Sequence, residues 1–285
     1  MSELQLVECP RDAMQGLREW VPTELKVAYI NHLLACGFHT IDFGSFVSPK
    51  AIPQMRDTAD VLSGLKLNGQ TKLLSIVANL RGATDAVSFS EIDYLGYPFS
   101  VSEEFQRRNT NSTISESIKL VEEIQNLCVN RGKKLVVYLS MGFGNPYGEE
   151  WNPGIVMAWS KKLQDALGIE IIALSDTIGC ATEQDVSNLF SLLTSELKQV
   201  TVGAHFHTKP NSSARIIKAA FDAGCRRFDS AIRGFGGCPM AKDDLTGNLP
   251  TEELIDYFNK NKINHKVINE SFDLAYSFSS KIFNS

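Results

Sequence analysis

Eight short β-rich runs alternate with helix-length stretches along this chain, and few folds accommodate that count. The runs fall at residues 4–9, 39–43, 72–78, 91–97, 134–140, 169–175, 200–206 and 226–232. Several are apolar almost throughout, as a parallel strand is when helices cover one side and packed side chains the other. Between them lie helical patterns at 23–37, 114–132, 153–168 and 212–224, closing on Gly37, Gly132, Gly168 and Gly224, the usual helix stop. Acidic first turns at Ser115-Glu116-Ser117-Ile118, Thr182-Glu183-Gln184-Asp185 and Thr251-Glu252-Glu253-Leu254 mark helix starts. No Pro/Ser-rich linker divides the chain. A doubly wound sheet also alternates, but eight regular units are the count of a (β/α)8 TIM barrel. The expectation is a single α/β barrel domain over all 285 residues, with a short helical extension from about residue 250.

Composition removes whole classes of function. With 28 Lys+Arg against 33 Asp+Glu the net charge is −5, which argues against a nucleic-acid or anionic-membrane partner. No run reaches the roughly eighteen apolar residues of a membrane span. The cysteines, Cys9, Cys36, Cys128, Cys180, Cys225 and Cys238, show no CxxC spacing, and the run from Leu4 to Val7 is too short for a signal peptide. Asn284-Ser285 is no recognisable address. A reducing, cytoplasmic setting is expected.

Barrel chemistry gathers at the carboxyl ends of the strands. There the sequence places Arg11, Asp12 and Gln15 after the first run, Asp42 and then Lys50 after the second, and Asn79 and Arg81 after the third. Asp176 ends the sixth, and His205 and His207 end the seventh. Alternate residues of a strand point the same way, so both imidazoles reach one ion. A chance pair at a strand end is the competing account. Asp12 adds a carboxylate, and an amide oxygen such as that of Asn248 completes a set suited to Mg2+ or Mn2+. After the eighth run comes Gly234-x-Gly236-Gly237-Cys238-Pro239. It is either a turn needing positive φ with an incidental cysteine, or a lid bringing a reactive thiol to the metal set. Its position opposite that set favours the lid. GxGxxG and GK[ST] are absent from it. His32, His39 and His265 read as structural.

Taken in order, these residues carry a resemblance. Pro10-Arg11-Asp12, the stretch from Ser45 to Lys50 with Pro53-Gln54-Met55, Asn79-Leu80-Arg81-Gly82 and Asp176-Thr177-Ile178-Gly179 form its first part. His205-x-His207 and the cysteine loop with Gly247-Asn248-Leu249 complete it. Together they resemble the 3-hydroxy-3-methylglutaryl-CoA lyase family, over residues 7 to about 254. The cysteine loop sets this branch of the metallolyase barrels apart from isopropylmalate and homocitrate synthases. The resemblance implies metal-dependent retro-Claisen cleavage of 3-hydroxy-3-methylglutaryl-CoA to acetyl-CoA and acetoacetate, in leucine breakdown or ketone-body formation, by a homodimer. By position it implies that Asp12, His205, His207 and Asn248 bind Mg2+ or Mn2+ and that Cys238 is the catalytic thiol. Arg11 would face the thioester carbonyl, with Asp42 and Asp176 as supporting carboxylates. Coenzyme A is polyanionic, so Arg18, Lys50, Arg81, Arg107 and Arg108 are candidates to meet it, the alternative being an ordinary solvated charge cluster. Gln15, Asn79 and Asn109 are further expected substrate or CoA contacts.

The chain departs from the family at several points. Asp42 stands where the family carries Glu, Thr208 and Lys209 follow the second histidine where Asp is usual, and Asn145-Pro146 replaces Cys-Pro. These changes keep open a lyase for a different branched 3-hydroxyglutaryl-CoA, and a non-catalytic relative that binds acyl-CoA or metal.

Overall fold

The apolar runs become the staves of a closed barrel in a computed structural model that describes residues 3–209, 212–237 and 247–283. The strands are β1 (Gln5–Glu8), β2 (Thr40–Ser45), β3 (Lys72–Ile76), β4 (Tyr94–Ser100), β5 (Lys134–Ser140), β6 (Ile171–Asp176), β7 (Thr201–Thr208) and β8 (Arg227–Ser230). Each pairs in parallel with its sequence neighbours, and β8 returns to β1, so the sheet closes on itself. A two-residue β9 (Gly247–Asn248) runs antiparallel to the end of β7. This is the expected TIM-barrel fold.

Outside lie α1 (Pro10–Gln15), α2 (Thr23–Leu34), α3 (Thr58–Ser63), α4 (Leu80–Val87), α5 (Glu103–Thr110), α6 (Ile114–Asn130), α7 (Pro153–Leu167), α8 (Glu183–Glu196), α9 (Ser213–Asp222), α10 (Thr251–Lys260) and α11 (Asn269–Ser279). α10 follows β8 and packs beside α9, completing the outer ring; α11 lies beyond it, against α2. No helix among the described residues is long and apolar enough to cross a membrane.

Several boundaries differ from the sequence reading, each for a local reason. β4 begins three residues later than expected, at Tyr94. The Asp93 carboxylate instead accepts from Lys72 Nζ (2.9 Å) and the Leu73 amide (3.0 Å), anchoring a turn. Pro98 fits inside this strand because pairing with β3 has ended at Gly96 and no ladder bond needs its missing N–H. Likewise α6 starts from Thr113 rather than Ser115. The Thr113 hydroxyl accepts from the Glu116 amide while the Glu116 carboxylate accepts from the Thr113 amide, a reciprocal cap. Thr182 and Asp185 cap α8 in the same way, where the acidic signal stood.

The main core lies between barrel and helices, and a smaller apolar cluster of Leu74, Ile76, Val136, Tyr138, Ile171 and Ala173 fills one side of the interior. The other side, along β1, β2, β7 and β8, is charged. Arg227 and Asp229 are joined at 2.6 Å and fully enclosed, and a Cβ on Gly203 would stand 3.2 Å from the Arg227 side chain. Glu8, on the neighbouring strand, is also fully buried but meets a different neighbourhood. It accepts from the Ile232 amide (2.9 Å) and the Thr251 hydroxyl (2.5 Å), and burial pushes its pKa up to about 8.

Candidate active site

Several of the polar residues at the strand ends meet in one cavity of about 450 Å3. Its polar wall holds Arg11, Asp12, Gln15, Ser175, His205 and His207, and an apolar wall of Val47, Ile52, Ile76, Pro98, Phe105 and Tyr138 completes it. Pro10 opens α1 at its first position, where a missing N–H costs nothing, and so turns the chain to bring Arg11 and Asp12 over the barrel mouth.

Ligand atoms of Asp12, His205 and His207 lie within 4.8 Å of one another. His207 Nδ1 donates to the Thr177 carbonyl (2.9 Å), which leaves the Nε2 lone pair free for an ion. Burial, reinforced by His205, lowers its pKa to about 4, so the ring is neutral at ordinary pH. His205 behaves differently. Burial would depress it, but the hydrogen bond and charge of Asp229 outweigh that and hold it above the usual imidazole value. Its Nδ1 faces Asp229 Oδ2 at 3.3 Å and its Nε2 faces Asp12 Oδ2 at 3.9 Å. For Asp12 burial works upward, yet Arg11 and the two histidines keep the carboxyl below its usual range. Asn248 donates through Nδ2 to Asp12 Oδ2 (2.7 Å) and to the Phe235 carbonyl (2.9 Å). Two imidazoles, a carboxylate and an adjacent amide form a donor set that fits a divalent cation.

Arg11 is held from three sides. Its Nη2 and Nε bond Asp42 Oδ2 at 2.5 and 3.0 Å, and its Nη1 bonds Asp12 Oδ1 and Gln15 Oε1, both at 2.9 Å. A bulge in β2 between Asp42 and Gly44 accompanies this aim. Burial raises Asp42 to about 6 against the pull of Arg11. Asp176 is placed otherwise. Its oxygens accept from the Cys180 and Ala181 amides (2.9 and 3.0 Å), tying down the loop after β6, and it does not line the cavity.

Of the expected CoA contacts, Gln15, Arg108 and Asn109 line the cavity, while Arg18, Lys50, Asn79, Arg81 and Arg107 do not. Arg108 also pairs with Glu104 and sits 4.8 Å over the Tyr147 ring. Asn79 is a helix cap, its side chain accepting from the Gly82 amide at 2.9 Å. Arg107 pairs with Glu103 in the open. Cys238 lies outside the described residues. The root of its loop is well tied. Arg233, at φ 64°, donates to Ser279 Oγ and covers the Tyr276 ring, and Phe235 stacks on Phe283 at 4.4 Å. Gly236 has φ 99°, and a Cβ there would stand 2.5 Å from Asn248 Nδ2, so both backbone and space require glycine.

Asp229 and Arg227 are the residues that sequence reasoning missed. Two charges at alternate positions of a barrel strand share one face, and that was the available signal. His32, His39 and His265 take structural places against Phe278, Thr40 and Asn259.

The chain matches the HMGL-like family over residues 4–275. A cytoplasmic 3-hydroxy-3-methylglutaryl-CoA lyase of Rattus norvegicus is 32% identical over 266 residues, covering 91% of this chain and 76% of the relative. A 3-hydroxy-3-isohexenylglutaryl-CoA/hydroxy-methylglutaryl-CoA lyase of Pseudomonas aeruginosa is 30% identical over 258 residues, 90% of this chain and 85% of the relative. Among solved structures, an HMG-CoA lyase from Acenitobacter baumannii, in complex with coenzyme A and 3-methylmalate, superposes with a TM-score of 0.91 at 30% identity, covering 99% of this chain and 92% of that one.

Proposed function

The chain belongs to the HMGL-like family and is a carbon–carbon lyase, and from that premise we propose that it cleaves 3-hydroxy-3-methylglutaryl-CoA to acetyl-CoA and acetoacetate with a divalent cation. The observation that carries the reading is the convergence of Asp12, His205 and His207 beside a clamped Arg11.

When bound, Mg2+ or Mn2+ supplies Lewis acidity that lowers the pKa of the substrate's tertiary alcohol, so that its proton passes to solvent in the cavity as the carbonyl of acetoacetate forms. Asp12, His205, His207 and Asn248 hold it, the histidines oriented by the Asp229 carboxylate and the Thr177 carbonyl. As the C2–C3 bond breaks, negative charge moves to the thioester oxygen. Arg11 meets it, an interaction worth roughly 3 kcal/mol by analogy with oxyanion donors. Asp42 and Gln15 fix the guanidinium plane so that it does not reorganise during the step. The acetyl-CoA enolate then takes a proton at carbon from Cys238, whose ordinary pKa of about 8.5 suits a donor. Asp176 supports the loop after β6. Arg108 and Asn109, at the cavity rim with Gln15, receive the polar part of the acyl-CoA.

The test is acetoacetate release with added Mn2+ or Mg2+ and again after chelation, in wild type and Cys238→Ala. Cleavage that needs the ion and falls in the variant, with acyl-CoA binding kept, is expected. Full activity in Cys238→Ala removes its assigned role. The apolar wall from Val47 to Tyr138 favours a second reading, a longer branch on the 3-hydroxyglutaryl chain. Competing the two thioesters for one enzyme separates them.

A further inference from the structure

The Cys9 thiol has no part in the chemistry above, yet it stands directly behind it. Cys9 Sγ, a ring nitrogen of His205 and a carboxylate oxygen of Asp229 lie within 4.8 Å of one another, and Cys9 and Asp229 are each only 1% exposed. Thiol, imidazole and carboxylate are the donors of zinc and cadmium rather than of magnesium. The separation of His205 Nδ1 from Asp229 Oδ2, 3.3 Å, is long for a charge-assisted hydrogen bond. It equals the edge of a tetrahedron whose metal–donor bonds are about 2.0 Å. The carboxylates of Asp12, Asp42 and Asp229 outnumber the guanidiniums of Arg11 and Arg227 on this side of the interior. The buried Tyr138 hydroxyl nearby has no hydrogen-bond partner of normal geometry among the described residues. Its ring packs edge-on against His205 at 5.4 Å.

We propose that Cys9, His205 Nδ1 and Asp229 form a second cation site, for a thiophilic divalent ion such as Zn2+ or Cd2+, whose occupancy excludes the activating ion from Asp12, His205 and His207. Three protein donors leave the fourth corner of the tetrahedron open. On binding, Cys9 gives its proton to solvent and the Nδ1 proton of His205 moves to Nε2. The freed Nδ1 lone pair takes the ion. A neutral imidazole has one lone pair, so Nε2, now an N–H, has none left for the upper site. The two ions therefore compete for one ring through its tautomer, without sharing a position. The exclusion rests on the function proposed above; the lower site itself, of Cys9, His205 and Asp229, does not.

The test is a Co2+ titration of the full chain, read by thiolate-to-cobalt charge-transfer absorption in wild type, Cys9→Ser and Cys238→Ser. The expected band survives Cys238→Ser and disappears in Cys9→Ser. A band that persists in Cys9→Ser, or none in wild type, overturns the site. Cys9→Ala serves in the same way, with thermal melting as the check on folding. Mn2+ binding, read from the free-ion resonance with and without Cd2+, tests the exclusion. Cd2+ weakens Mn2+ binding about tenfold or more in wild type and within about twofold in Cys9→Ser. An equal effect in both overturns the exclusion. If Mn2+ fails to bind wild type at all, the function proposed above fails, and the cobalt band alone decides the lower site.

Discussion

Arg11 Nη2 lies 2.5 Å from Asp42 Oδ2, a contact between the helix that follows β1 and the interior of β2, with both side chains buried. A guanidinium gripped through Nη2 and Nε can present its remaining edge in only one plane. That geometry decides what substitutions here do.

Arg11→Lys keeps the charge and loses the fork. The expected outcome is a fall in kcat of about 10^2 to 10^3, with a smaller change in KM, measured by steady-state cleavage of 3-hydroxy-3-methylglutaryl-CoA. An unaltered kcat would take Arg11 out of the reaction. Asp42→Asn is expected to lower kcat as well, and also stability, because it leaves a buried guanidinium short of its counter-charge.

Asp229 orients His205 from behind, so Asp229→Asn is expected to weaken Mn2+ binding by about 10- to 100-fold while Asp12→Asn weakens it further. Titration calorimetry of Mn2+ against each variant measures this. Equal affinity in Asp229→Asn and wild type would mean that the 3.3 Å contact does no orienting.

Glu8 gives the pH dependence of stability. Its folded pKa of about 8 exceeds the ordinary carboxyl value of 4.5, through burial. Between those values the folded chain holds a proton that the unfolded chain releases, so stability falls as pH rises, by up to about 1.4 kcal/mol per pH unit, and levels off above the folded value. Glu8→Gln, which keeps the shape and cannot ionise, is expected to flatten that slope. Urea unfolding from about pH 5 to about pH 9 compares the two, and identical slopes would assign the dependence elsewhere.

Gly236→Ala places a Cβ where Asn248 stands and forces alanine into positive φ. A loss of roughly 1 to 3 kcal/mol is expected, along with weaker Mn2+ binding, because Asn248 must withdraw from Asp12. Thermal melting and the same calorimetry test both parts.

Period and punctuation made the barrel readable. β5 was legible to the residue, since the apolar run 135–139 is flanked by Lys134 and Ser140 and bounded by turn signals. β4 was not, because Asp93 forms a turn through long-range bonds to β3 that no local pattern announces. In the site, His205 and His207 were visible by strand alternation and Asp12 by its place after β1. Asn79, expected as a substrate contact, also caps a helix, a role that its spacing to Gly82 announces. Asp229 and Arg227 went unread because buried charge inside a strand shows its partners only when the strands close.

Phe235 stacks on Phe283, and Arg233 reaches Ser279 on α11. The entry to the glycine-rich loop and the last helix are therefore one cooperative unit. Slow amide exchange near Phe235 will report the free energy of peeling away a helix that never touches the cavity, rather than the rigidity of the loop itself. A fusion or surface tether attached at that helix would be felt at the entry to the loop.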